Sequence, residues 1–144
     1  MKTQFRLFAL ILFLFATTAY ASAQSCLSYD TDGVRLQGTI GKKTFPGPPN
    51  YESIKKGDEP ETYWVLRLAK PICMTASGDN DAENNVTEMQ LILTPKGYAN
   101  FRKYVGRKDG VLVEGKLMHA ITGHHHTPVL MEVKAIGTHK PIRL

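Results

Sequence analysis

Residues 110–136 read GVLVEGKLMHAITGHHHTPVLMEVKAI, and this stretch predicts a β-hairpin. Apolar and polar residues alternate on both sides of a central Gly-His-His-His-Thr segment, which is the pattern of two strands that each bury one face. Odd-numbered side chains share one face over 111–121 and again over 129–135. We therefore expect both odd faces to point into one core.

That expectation sets the register of the hairpin. Leu117 should lie opposite Met131, and His119 opposite Val129. A connection of three or five residues around His124 would then join the strands. The histidines would form the exposed tip.

The first residues of the chain, 1–23, have the pattern of a signal peptide. Lys2 and Arg6 precede an apolar stretch over 7–16, and Ala21-Ser22-Ala23 is a small-x-small cleavage site. The alternative is an uncleaved anchor helix, but the apolar stretch is shorter than the ~20 residues that span a bilayer. We expect cleavage after Ala23, no membrane insertion afterwards, and a periplasmic or secreted protein.

Export changes how the two cysteines are interpreted. Cys26 and Cys73 both follow the cleavage site, and disulfides persist in oxidising compartments. We expect these two residues to form a disulfide. The alternative is one buried and one reactive free thiol.

Residues 24–144 are enough for a single domain with a modest core. The formal net charge of +5 falls by two when Lys2 and Arg6 leave with the signal peptide. Such a weak basic bias does not argue for nucleic acid, whose binders usually carry a dense basic stripe. We expect no nucleic-acid partner.

The order of predicted elements indicates an OB-like fold. Strands are predicted over 34–40, 62–74 and 86–93, before the two strands of the hairpin. Thr94-Pro95 opens a helix that Gly106 ends, because threonine caps free amides and proline is tolerated in the first turn. The fold class is thus mainly β: a five-stranded OB-like Greek-key barrel with one helix between strands three and four.

The predicted helix carries an apolar stripe made of Tyr98, Phe101 and Val105, which suits a helix that plugs one end of the barrel. Its polar side and carboxyl end are basic. We expect this basic run to be a solvated helix end, and the alternative is contact with an anionic lipid or polyanion. The run consists of Arg102, Lys103, Arg107 and Lys108.

Two loops are candidates for a binding site. In OB folds, ligands meet the face of strands two and three and the loops between strands one and two and between four and five. Here those loops are the proline-rich segment 46–61 and the histidine tip 122–128. The candidate ligand-binding residues are Tyr51, Trp64, His119, His124, His125 and His126.

Several motifs carry a resemblance to a known family. They are Pro48-Pro49-Asn50-Tyr51-Glu52-Ser53-Ile54, Gly57-Asp58, Glu61-Thr62-Tyr63-Trp64, Pro71-Ile72-Cys73 and Gly123-His124-His125-His126-Thr127-Pro128-Val129. With them the chain resembles the exported bacterial domain of unknown function 4431. The resemblance covers about 34–136 and implies a bacterial, exported, OB-like domain. It implies no activity and no catalytic residues.

Three functions are open. The first is a non-catalytic binding module for a small molecule, glycan or protein. The second is a transition-metal site, because imidazole suits zinc, copper or nickel; His119 and His125 would share one side of the hairpin, and His139 is a further imidazole.

The third is an enzyme, which we do not expect. General acid–base work needs a positioned partner and a nucleophile or substrate pocket. The sequence has no Gly-x-Ser-x-Gly, His-Glu-x-x-His or phosphate-cradling glycine loop.

Overall fold

The computed structural model of the chain describes residues 25–138. The predicted signal peptide over 1–23 and His139 lie outside the described residues. Among residues 25–138 we find no helix with the length and apolar character that crossing a bilayer requires.

The described residues form five strands that close into a barrel, with one short α-helix between the third and fourth strands. The order around the barrel is β1-β2-β3-β5-β4; β3 and β5 run parallel, and the other neighbours are antiparallel. The five-stranded OB-like Greek-key prediction is therefore confirmed. The elements are β1 (Val34–Pro46), β2 (Pro60–Met74), β3 (Glu83–Ile92), α1 (Pro95–Phe101), β4 (Val111–His119) and β5 (Val129–Thr138).

The predicted register of the β4–β5 hairpin is confirmed: Leu117 pairs with Met131, and His119 with Val129. Three of these four residues are fully buried in the core. The predicted length of the connection is wrong. The last backbone hydrogen bond runs from the Ala120 N–H to the Pro128 carbonyl at 3.1 Å, so residues 121–127 form the connection. Pro128 has no amide hydrogen to return that bond, and the ladder stops there.

The face assignment of β5 needs a second correction, because the strand is bulged. Glu114 pairs with Ala135 whereas Gly115 pairs with Val133, which leaves one extra residue on β5. Side chains beyond the bulge therefore change faces. Ile136 lies in the core at 6% exposure, and Ala135, which we expected inside, is exposed.

Glycine permits the close strand packing at two places. A Cβ on Gly38 would lie 2.1 Å from the Arg67 carbonyl oxygen, and one on Gly115 would lie 2.2 Å from the Glu132 carbonyl oxygen. Gly38 is where β1 pairs with both β2 and β4. Any side chain there would separate strands that close the barrel.

The helix begins as predicted but ends earlier: α1 stops at Phe101 rather than at Gly106, and a 3-10 turn over Arg102–Tyr104 leads to Val105. The Thr94 hydroxyl oxygen accepts a hydrogen bond from the Gly97 N–H at 3.1 Å, and Pro95 occupies the first turn. Tyr98, Phe101 and Val105 pack against the core as partly buried side chains.

The predicted disulfide is present between Cys26 and Cys73. The Leu27 N–H next to it donates to the Cys73 carbonyl at 2.8 Å, so the start of the domain is held to the end of β2. Disulfides are typical of proteins in oxidising compartments.

Candidate functional site

The upper part of the β1–β2 pair presents three side chains on the outer face of the barrel. Phe45 pairs with Glu61 across the strands, and Glu61 and Tyr63 point the same way because strand side chains alternate. Gly47 lies against them, since a Cβ there would be 2.6 Å from the Glu61 Cγ. The connection between β1 and β2 therefore starts on top of Glu61.

One oxygen of Glu61 joins this face to the histidine tip. Oε2 accepts hydrogen bonds from His124 Nδ1 at 2.9 Å, Tyr63 Oη at 3.1 Å and His126 Nε2 at 3.4 Å. Hydrogen bonding, above all from His124, lowers the pKa of the Glu61 carboxyl below its usual value. Burial, followed by the contact with Glu61, raises the pKa of Tyr63 to about 12. The pair is thus an anionic carboxylate beside a neutral phenol at neutral pH.

His126 is the buried member of the tip. Its ring stacks on Phe45 with centroids 4.5 Å apart and planes within 3°, and Tyr63 lies 5.4 Å away at a tilt. Only 8% of the side chain is exposed. His126 therefore anchors the tip to the barrel.

His124 is the exposed member, and it contacts the proline-rich loop. Its side chain is 52% exposed, and the Tyr51 ring meets it edge-on at 5.4 Å. Nδ1 faces Glu61, and Nε2 lies 3.3 Å from the Tyr51 hydroxyl, within hydrogen-bonding distance. Tyr51 also packs on Gly123, where an added Cβ would lie 2.9 Å from the ring.

Gln90 supports the tip from β3. It is fully buried; its Nε2 donates to the His124 carbonyl at 3.0 Å, and its Oε1 accepts from the His126 N–H at 2.8 Å. Thr127 adds a third connection, because its hydroxyl oxygen accepts from the Gln90 N–H at 2.8 Å. The tip is therefore hydrogen-bonded along its backbone as well as through its side chains.

Asp58 holds the proline-rich loop in shape. Its carboxylate accepts backbone N–H bonds from Asn50, Glu52 and Ser53 at 2.9, 2.8 and 2.7 Å. These bonds, led by the one from Ser53, lower the pKa of the Asp58 carboxyl. The loop is an ordered turn built around an anion.

Three of the expected ligand-binding residues meet at this place: Tyr51, His124 and His126. His125 lies in the same tip but points elsewhere, because its Nδ1 accepts the Ile121 N–H at 3.0 Å. Burial, then the neighbouring His124 and His126, lowers the pKa of His125.

Two expected site residues lie in other surroundings. Trp64 is only 7% exposed and meets the Tyr98 ring edge-on at 5.0 Å, so it is a core residue. Alternation along β2 turns it away from the face that Tyr63 occupies. His119 donates from Nδ1 to the Ala120 carbonyl at 2.9 Å and lies edge-on to Tyr29, a core residue.

The metal hypothesis named His119 and His125 as ligands. The His119 ring contacts the Tyr29 ring, whereas the His125 ring accepts a hydrogen bond from the Ile121 N–H, so the two imidazoles have different partners. Within the described part of the chain, no group of three or more His, Cys, Asp or Glu side chains is placed to hold a metal ion.

Sequence reasoning missed three residues on which the site depends: Glu61, Tyr63 and Gln90. The first two could have been found by extending the alternation of β2 backwards from Arg67. The sequence indicated Gln90 only weakly. It is a polar residue between Met89 and Leu91, in a strand that was predicted to bury one face.

Comparison with protein families matches residues 88–137 to a domain of unknown function (DUF4431). The matched range includes Gln90, the hairpin and its histidine tip. The comparison with curated proteins gives no match. Residues 88–137 are thus similar to the domain of unknown function 4431, the family that the sequence motifs resemble.

Proposed function

We propose that this protein is an exported, non-catalytic binding module whose ligand contacts the proline-rich segment 46–61 and the histidine tip 122–128 together. We call these two segments the loop–tip surface. The observation that carries the proposal is the Glu61 carboxylate, which is hydrogen-bonded to both exposed and buried histidines of the tip. The Cys26–Cys73 disulfide supports export, to the periplasm or the medium.

Preorganisation supports a binding role for this surface. Asp58 orders one segment, and Gln90 and Glu61 order the other. Binding to loops that are already ordered costs less conformational entropy than binding that must first order them. Asp58 and Gln90 are buried, whereas the His124 side chain is half exposed.

Among small molecules, glycans and proteins, the chemistry of the surface favours a glycan. Imidazole, phenol and carboxylate groups can exchange hydrogen bonds with sugar hydroxyls, and ring faces can pack against the apolar side of a sugar. Ile54 and Ile121 add exposed apolar area at 43% and 74% exposure. These are also the loops with which OB folds contact oligosaccharides.

The hydrogen bonds of His124 support binding over catalysis. A catalytic imidazole uses a carboxylate on one nitrogen and a nucleophile or substrate on the other. Here Nδ1 faces Glu61 and Nε2 faces the Tyr51 hydroxyl, so both ring nitrogens are engaged within the site.

A titration followed by amide NMR tests the proposal. We expect chitotriose or maltotriose to shift amide signals in both 50–54 and 121–127, and His124→Ala to weaken binding about tenfold by removing the exposed ring. Gln37→Ala, on the exposed side of β1, is the control and should bind as wild type. Shifts confined to one segment, or confined to other faces of the barrel, would contradict the proposal.

The second candidate is a transition-metal site in the same tip. A histidine that donates one ring N–H to a carboxylate, as His124 does to Glu61, is the usual orientation of a metal-ligating imidazole. Zinc, copper or nickel should then stay with the purified protein and be lost in His124→Ala. The site would be ruled out if the purified protein contains no metal and its melting temperature does not change with chelators or added zinc.

A further inference from the structure

A groove of about 350 Å³ lies on the outer face of the sheet, below the loop–tip surface. Gly41 and Val65, which pair across β1 and β2, line it, and the segment Gly106–Lys108 forms one wall. A Cβ on Gly41 would meet nothing within 4 Å, so this glycine leaves room over the strands.

The groove is lined by five cationic side chains and one carboxylate, Glu88. Glu88 pairs with Lys43, and Arg107 pairs with Asp109, which lines a neighbouring depression. Every acidic side chain of the sequence lies within residues 25–138, and in that range none forms an ion pair with Lys42, Arg67 or Lys108. The cationic residues are Lys42, Lys43, Arg67, Arg107 and Lys108.

Arg107 contains an unsatisfied donor. Its Nε is buried and has no hydrogen-bond partner among the described residues, although its terminal nitrogen reaches Asp109. Because Nε is closed to solvent, an oxyanion in the groove would meet the exposed part of the Arg107 side chain instead.

The groove continues past Arg67. A second depression of about 290 Å³ shares Thr39, Arg67 and Lys108 with the first and extends along Gln37 and Leu68. Arg67 and Lys108 therefore lie at the middle of an elongated basic surface. A ligand with two or more separated anionic groups could use both parts.

We propose that this groove binds a soluble ligand that carries two or more phosphate groups, held by Arg67, Arg107 and Lys108. The planar fork of arginine suits bidentate contact with phosphate, and lysine adds a mobile point charge. No aromatic ring occurs among the described residues that line either depression. Single-stranded nucleic acid, which relies on stacking of its bases on aromatic rings, fits this surface less well.

This inference is independent of the proposed function. The groove shares no residue with 46–61 or 122–128. The two bind ligands of different charge, and their tests use different substitutions. It also gives Arg107 and Lys108 a role beyond that of a solvated helix end.

Calorimetric titration of the full mature protein with sodium tripolyphosphate at low salt tests the groove. We expect saturable one-to-one binding that weakens with added salt, and the double variant Arg67→Gln/Lys108→Gln to lose about tenfold or more in affinity. The matched control Lys96→Gln/Arg102→Gln also removes one lysine and one arginine. Both control residues are exposed and lie outside the groove, so it should bind within about twofold of wild type.

Thermal melting checks that both doubles fold. If the groove double is unstable, Arg67→Lys, which keeps the charge but loses the planar fork, should still weaken binding. Equal losses in the two doubles would show a net-charge effect and overturn the proposal, as would absence of saturable binding. Phosphatidylglycerol vesicles and an oligo-dT strand are the comparison ligands. Groove-dependent binding of either one, without binding of tripolyphosphate, would also overturn it.

Discussion

Glu61 accepts three hydrogen bonds on a single carboxylate oxygen, from His124, Tyr63 and His126. Together with the contact between Tyr51 and His124, these bonds join two loops that are far apart in sequence. The Glu61 side chain is 20% exposed, so the bonds are partly shielded from water and are stronger than those of a surface pair.

A second property of a single residue, the pKa of His125, predicts that stability depends on pH. Its pKa in the folded protein lies below the ordinary value of 6.5, so the unfolded chain binds a proton first as the pH falls. The contribution of His125 to the free energy of unfolding should therefore decrease as the pH drops below about 6.5 and level off below the folded pKa.

Replacement by asparagine isolates this effect. His125→Asn keeps an acceptor for the Ile121 N–H but cannot titrate, so its melting temperature should decline less than that of wild type over the same pH range. Parallel melting curves for the two proteins would contradict the assignment.

At the scale of the element, β3 supports the tip through Gln90. Gln90→Leu keeps the volume but leaves the partly buried His124 carbonyl and His126 N–H without their partners, at a cost on the order of 1 kcal/mol for each group. Urea unfolding should record that loss, and the His126 amide should exchange faster. Gln37→Leu makes the same change at an exposed site on β1 and should have little effect. A His126 amide as protected as in wild type would refute the role of Gln90.

The pairing of β1 with both of its neighbours gives another prediction. In Gly38→Ala the new methyl would lie 2.1 Å from the Arg67 carbonyl oxygen, so the strands must separate, at a cost of about 1–3 kcal/mol or more. Gly41→Ala is the control on the same strand, because nothing lies within 4 Å of its new methyl. Equal stability of the two variants in urea would contradict the close approach.

Strands were predictable from the sequence where apolar residues alternate strictly with polar ones and one face of the strand is buried. Leu117 and Met131 illustrate this, since a slip by one residue would have moved an apolar row into water. The bulge after Val133 was not predictable, because it depends on where Gly115 lets β5 approach. Likewise, Trp64 was expected at the binding site, although its place in the alternation already put it in the core.

The site was less predictable than the fold. The two loops could be chosen because their strands sit at the same end of an OB barrel. Which side chains touch depends on side-chain geometry over long sequence separations, as for Glu61 with His124 and Gln90 with His126. The repeat of apolar residues along one strand or helix does not indicate such contacts.

At the scale of the whole molecule, the disulfide adds to what barrel closure supplies. It closes a loop with a sequence separation of 47, and the chain-entropy model gives about 4 kcal/mol for such a crosslink. Cys26→Ser/Cys73→Ser should therefore lower the free energy of unfolding by about that amount while the β4–β5 pairing survives. An unchanged urea midpoint would show that the crosslink contributes nothing.

Hydrogen exchange of the two loops in Glu61→Gln tests most directly whether the Glu61 carboxylate holds them together. The neutral amide cannot accept the three hydrogen bonds as a charged oxygen does, so we predict that amides in 50–54 and 121–127 lose protection together, on the order of tenfold. Glu59→Gln, an exposed neighbour that loses the same charge, should leave both segments as in wild type. Loss of protection in one segment alone, or in neither, would contradict the claim that one carboxylate unites them.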